Sequence, residues 1–167
     1  MTANKFAAEL AKFAPDIPAM KAKGYPEGAI QAELRGFILQ EKEGVKAIQD
    51  NPLLDLLTRF DCTLFILGNI SFQQPDYENG RAYIAALDGS FLVLNATNEI
   101  EEIEHEDDSY IQTVAETPVQ FLKILLVYAE YLHDQAAKIP YSKESFIKKC
   151  RRINASGTGF YRKLFGA

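Results

Sequence analysis

Residues 117–138 read TPVQFLKILLVYAEYLHDQAAK, and this stretch decides the fold. Thr117 is a helix N-cap residue and Pro118 suits the first helical position, where its missing amide costs nothing. Polar residues recur at Gln120, Lys123, Glu130 and Asp134 and trace one narrow stripe. Most of the remaining circumference is apolar: Phe121, Leu122, Ile124, Leu125, Tyr128 and Leu132 among others. A helix apolar on so many sides is buried on more than one face. Each large side chain so buried contributes roughly 1.5–3 kcal/mol, so this helix is expected to lie across a sheet as the centre of the core.

The sheet it needs lies upstream. CTLFILG (62–68) is apolar and rich in β-formers, and the dipeptides Asn79-Gly80 and Asp88-Gly89 are strong turn signals. RAYIAAL, Asp-Gly and SFLVLN then predict a hairpin with a two-residue turn. Further strands are expected over 98–105 and 109–114, with connections short enough to make the sheet mainly antiparallel. Ile100 and Ile103 differ by an odd step and cannot both face inward on a regular strand, which predicts a bulge.

Before the sheet the chain reads as helical. Phe6, Leu10 and Phe13 share one side of a short helix over 4–13, and Pro15, Pro18, Gly24 and Pro26 then break the chain. Ile30, Leu34, Phe37, Ile38, Val45 and Ile48 recur at helical spacing from Pro26 onward, weakened by Gly36 and Gly44. A third short helix is expected over 52–59. After the long helix, Pro140 is a break, Ser142 caps a basic helix KESFIKKCRRI, and the tail ASGTGFYRKLFGA is either a docked arm or a loose end. The expectation is an α+β fold with four to six strands backed by helices. One domain would span 1–167: a helical part (1–59), the sheet with its central helix (60–138) and a basic C-terminal part (139–167).

Composition agrees with a folded chain. At 167 residues, 47% hydrophobic and 25% charged, the chain can bury roughly 70% of its extended surface without disulfide or metal. The opening MTANKFAAELAKFAPD lacks the pattern of a secretory signal, and no apolar run approaches the roughly 20 residues of a membrane span. A cytoplasmic protein is expected, with Cys62 and Cys150 as reduced thiols and the sequons at Asn69, Asn95 and Asn154 as chance matches. Charge is split. Residues 1–137 carry 10 basic and 22 acidic groups, whereas 138–167 carry 8 basic and one acidic.

The chemistry-bearing residues are few. His105 sits among acids and His133 near a helix end, both read as solvated or structural. Cys150 has Lys148, Lys149, Arg151 and Arg152 beside it, neighbours that lower a thiol pKa. Gly157-Thr158-Gly159 with Lys163 lacks the spacing of a phosphate loop. The run EIEEIEHEDD (99–108) holds seven acids in ten residues. Its first reading is a solvated edge strand, and its functional reading is an acidic docking surface of Glu101, Glu102, Glu104, Glu106, Asp107 and Asp108 for a basic protein. The cations of the basic helix and tail, Lys143, Lys148, Lys149, Arg151, Arg152, Arg162 and Lys163, are interleaved with Phe146, Phe160 and Tyr161 and offer an alternative basic surface for nucleic acid, centred on Lys148, Lys149, Arg151 and Arg152. Pairing of these cations with protein carboxylates is the favoured reading, because the acidic body repels phosphate. No catalytic constellation, metal site or cofactor motif emerges.

Three segments together resemble the SUKH superfamily of bacterial toxin-immunity proteins: DCTLFILGNISF, GRAYIAALDGSFLVLN and YIQTVAETPVQFLKILLVYAEYL. They supply an apolar strand ending in Gly, a strand pair with a Gly turn, and a strand leading into a Thr-Pro helix that begins with Phe121, Leu122 and Leu125. The likeness covers about residues 60–133. The family's N-terminal Leu-Pro-x-x-Tyr segment and its following Asn-Gly-Gly are missing. The resemblance implies a helix-backed antiparallel sheet, no enzymatic activity and neutralisation of a cognate toxin by binding it. The alternative is a nucleic-acid-binding or regulatory protein using the basic C-terminal helix.

Overall fold

The computed structural model describes residues 1–165 and shows an α+β fold built on a six-stranded antiparallel sheet. The strands follow chain order: β1 (Ile66–Leu67), β2 (Ile70–Glu78), β3 (Arg81–Leu87), β4 (Ser90–Leu94), β5 (Ile100–Glu104) and β6 (Tyr110–Ala115). Asn79 and Gly80 both adopt positive φ in the β2–β3 turn, as a tight hairpin requires. The predicted hairpin around Asp88-Gly89 is present as β3 and β4. β2 runs through Pro75, where the register against β3 shifts between Phe72 and Asp76. Pro has no amide to give the ladder, so the strand survives there only by bulging.

The register sorts the strands into two faces. Leu92 lies between Ala85 and Glu102, and Leu94 between Ala82 and Ile100, on the face that joins the main core. Tyr83 pairs with Val93 and Phe91 with Ile103 on the opposite face. Ile100 and Ile103 therefore point to opposite sides, yet both are fully buried, because both faces are covered there. The expected bulge is not in β5. The extra residues in that pair, Ile111 and Val114, belong to β6.

The long helix, α5 of the chain, spans Pro118–Ala136, with Thr117 Oγ1 accepting from the Gln120 amide at 3.2 Å. Its buried Phe121, Leu122, Ile124, Leu125 and Tyr128 share the core with the sheet's inner face. Around it pack α1 (Ala3–Leu10), α4 (Pro52–Arg59) and α6 (Lys143–Ile153). Asn51 caps α4 and Ser142 caps α6 through bonds to their first-turn amides. As far as Phe165 the C-terminal tail is a docked arm, Gly166 and Ala167 lying outside the described residues: α7 (Thr158–Lys163) lies on β6 with Phe160 and Tyr161 fully buried.

Three local expectations are corrected. The prolines of 15–26 do not leave the chain irregular: α2 (Ile17–Ala22) forms there, capped by Asp16, with Pro18 in its first turn. The helix expected to reach Ile48 is only α3 (Glu27–Arg35). A Cβ at Gly36 would lie 2.9 Å from the Ile66 carbonyl oxygen, so α3 ends in close contact with β1. Residues 36–50 then spend their backbone bonds on α4 and its flank: Lys42 N to Arg59 O and Asp61 N to Gln40 O, both at 2.8 Å, and Ile48 N to Asp55 Oδ1 at 2.9 Å. Arg59, nearly buried, anchors this loop by bonding Asp55 Oδ2 at 2.8 Å as well as Glu41 and Asn4. Finally, the strand expected over 62–68 shrinks to β1, because a turn occupies 63–64.

Candidate functional surfaces

The acidic run forms the end of the β5–β6 hairpin, and its turn is tied down on several sides. The Glu104 amide donates to Ser109 O at 2.9 Å and the Ser109 amide to Asp107 Oδ1 at 3.0 Å. The His105 amide reaches Gly89 O at 3.3 Å, and Arg81 Nη1 donates to Asp108 O at 3.3 Å. The His105 ring rests 4.7 Å from that of Phe91. Hydrogen bonds from Ser109 hold the Asp107 carboxyl below its ordinary range. Glu104, Glu106 and Asp107 are exposed, Glu101 and Asp108 half-buried.

Glu102 does not belong to that surface. It faces the core at 0% exposure, where Ser90 Oγ donates to it at 2.6 Å, Gln112 Nε2 at 2.7 Å, and Lys163 completes an ion pair. Burial alone would raise its pKa, but the three donors outweigh burial and hold it below the ordinary value. Lys163 Nζ also lies 3.3 Å from Ser90 Oγ. A lysine activates serine only through a free nitrogen lone pair. Here the ammonium is committed to a carboxylate, so this cluster fastens α7 to the sheet.

The basic tail divides its charges. Lys149 bonds Glu130 at 2.7 Å and sits over the Tyr141 ring, Lys163 bonds Glu102, and Lys143 sits over Phe165. Lys148, Arg151, Arg152 and Arg162 instead line one open concavity of about 670 Å³ between α6 and α7, together with Glu144, Ile147 and Ala155. The aromatics expected to interleave with them, Phe146, Phe160 and Tyr161, are fully buried and offer no stacking platform. Of the four cations at the centre of the expected surface, Lys149 is diverted to Glu130, and Arg162, expected among the tail cations, stands with the other three. Gly157 and Gly159 serve packing. A Cβ on Gly157 would collide with the Val114 carbonyl oxygen, and one on Gly159 with Gln112 Oε1.

Cys150 is fully buried, and burial pushes its thiol up to about 12, opposite to the shift expected from its basic neighbours. Cys62 is pushed up to about 12 in the same way. His133 Nδ1 lies 3.2 Å from Phe13 O at the end of α5. Among the described residues, no group of three or more His, Cys, Asp or Glu side chains gathers as metal ligands do. No helix among them is long and apolar enough to cross a membrane.

One feature escapes sequence reasoning altogether. Phe13, Phe37, Ile66, Leu132 and His133 line an apolar groove of about 470 Å³ where α3, β1 and the end of α5 meet. A second concavity of about 360 Å³ adjoins it at Leu64 and includes Ile38. Ile38, Leu64 and Ile66 remain exposed at 45%, 38% and 49%. Their apolarity reads as core in the sequence, because helical or strand periodicity cannot show that no element covers them.

Compared with protein-family models, with curated proteins and with solved structures, the chain matches none.

Proposed function

We propose that this chain acts by binding another protein, as an immunity-type module of the cytoplasm that neutralises a toxin through contact with a basic surface. The observation that carries the reading is the fastened acidic hairpin. Glu104, Glu106 and Asp107 stand exposed on a turn fixed by Ser109, Gly89 and Arg81, so little conformational freedom is lost on docking. Negative charge at such a site speeds association with a basic partner and makes the rate sensitive to salt. The likeness of residues 60–133 to the SUKH superfamily supports the same reading, and so does the antiparallel sheet backed by helices.

The test uses the intact chain and Glu104→Lys/Glu106→Lys/Asp107→Lys as parallel baits in extract of the source cell. A basic protein retained by the first, toxic when expressed alone and harmless with this chain, is the expected partner. Its association with the variant should be at least tenfold slower and less salt-dependent. Equal retention and equal rates would remove the hairpin as the contact surface.

A further inference from the structure

The cations of the C-terminal segment have two fates, and the second defines a site. Lys149 and Lys163 are neutralised inside the fold by Glu130 and Glu102. Lys148, Arg151 and Arg152 stand at i, i+3 and i+4 of α6, on one helix face, and Arg162 of α7 borders the same concavity. Among the described residues none of these four forms a salt bridge, and Glu144 is the carboxylate on the rim. We infer that this cleft is a second binding site, which grips the phosphate backbone of double-stranded nucleic acid by charge and without reading its sequence.

The chemistry of the lining selects this ligand. Three of the four cations are arginines, whose planar fork matches phosphate oxygens in pairs. Ile147 and Ala155, the uncharged residues of the lining, carry no side-chain donor or acceptor to read a base edge. Phe146, Phe160 and Tyr161 are buried, and none of the described residues lining the cleft is an aromatic on which a single strand would stack. A peptide partner is usually held by an aromatic or aliphatic anchor in a deep pocket, and this cleft is open and rimmed by charge. A duplex offers one negative charge per roughly 1.7 Å, so several phosphates meet the cleft at once. The acidic body opposes such a ligand, but at 0.1 M salt charges beyond about 10 Å are largely screened. The cleft's own excess of positive charge then governs the encounter. This function is additional to toxin binding and does not depend on it.

The experiment titrates the full chain into a fluorescently labelled DNA duplex, read by anisotropy across a salt series. Each contacted phosphate contributes about −0.9 to the slope of log affinity against log salt, so an intact chain whose four cations each meet a phosphate should show a slope of about −3.6. Arg151→Ala/Arg162→Ala should reduce its magnitude by about 2, since both side chains border the cleft and neither forms a salt bridge. Lys5→Ala/Lys23→Ala, an equal charge loss at exposed positions of the N-terminal segment, should leave it unchanged. So should Glu104→Gln/Glu106→Gln/Asp107→Asn, which neutralises the acidic hairpin without adding a cation and keeps this test separate from that of the hairpin. Absence of binding at low salt overturns the inference, as does an equal loss of slope in both arginine and lysine variants. Binding of polyglutamate as tight as that of the duplex overturns it in favour of an acidic protein segment.

Discussion

Lys163 of α7 forms an ion pair with Glu102 of β5, a carboxylate with no exposure on the core side of the sheet. The pair joins residues 61 positions apart, so the last helix is attached electrostatically to a strand formed much earlier in the chain. Lys163→Met leaves the carboxylate buried with only Ser90 and Gln112 as donors. The expected loss is about 1–3 kcal/mol, less than the roughly 3–5 of a fully enclosed pair because Lys163 keeps partial contact with water. Urea unfolding of both proteins at neutral pH measures it.

The same pair sets a pH dependence. The folded state holds Glu102 below its ordinary value, so its contribution is fully present above the unfolded glutamate pKa of about 4.3 and is lost as pH falls below that. Glu102→Gln should therefore be less stable than the parent at pH 7, and the gap should close with acidification. A gap independent of pH would show that Glu102 titrates alike in the folded and unfolded chain.

Gly157→Ala tests how closely the tail is docked. The added methyl would collide with the Val114 carbonyl oxygen and with Tyr161 Oη, and the first of these is backbone of β6. Overpacking of this kind costs about 1–3 kcal/mol. Faster proteolysis within 155–165 at unchanged sheet content is the expected signature.

Arg59→Met removes the cation that bonds Asp55, Glu41 and Asn4 together. Breaking a buried pair from one side costs about 3–5 kcal/mol. The amides of Lys42 and Ile48, bonded to Arg59 O and Asp55 Oδ1, should lose hydrogen-exchange protection before those of the sheet. Uniform loss across the whole chain would mean that Arg59 supports the fold globally and not the 36–50 loop.

Cys62 and Cys150 should resist thiol reagents. With both thiols pushed up to about 12, very little thiolate is present at pH 8, and neither residue is more than 5% exposed. Labelling should be complete in denaturant and slow in buffer. Rapid native labelling at Cys150 would contradict its burial and reopen a nucleophilic role.

Elements whose local signals agree are legible in the amino-acid sequence alone. Thr117-Pro118 and an apolar circumference fix α5, and Asp88-Gly89 between two β-rich runs fixes the β3–β4 hairpin. Where local and long-range forces compete, periodicity misleads. Val45 and Ile48 keep helical spacing, but Arg59, Asp55 and the β1 backbone at Gly36 draw residues 36–50 into a loop.

The acidic run shows the same division at the level of the site. Its composition announces a charged hairpin, and five of its six expected contact residues are exposed or half-buried. Sequence cannot tell that Glu102 turns inward, because strand alternation gives two faces without naming the covered one. That choice depends on Lys163 arriving from α7 to offset the cost of burying a carboxylate. The basic tail is decided likewise: local sequence supplies the cations, but Glu130 and Glu102 determine which are neutralised. Residue types and short-range pattern thus set the elements and the charge of each surface. Pairing between distant groups, which exists only once the chain has folded, decided which charges face the solvent.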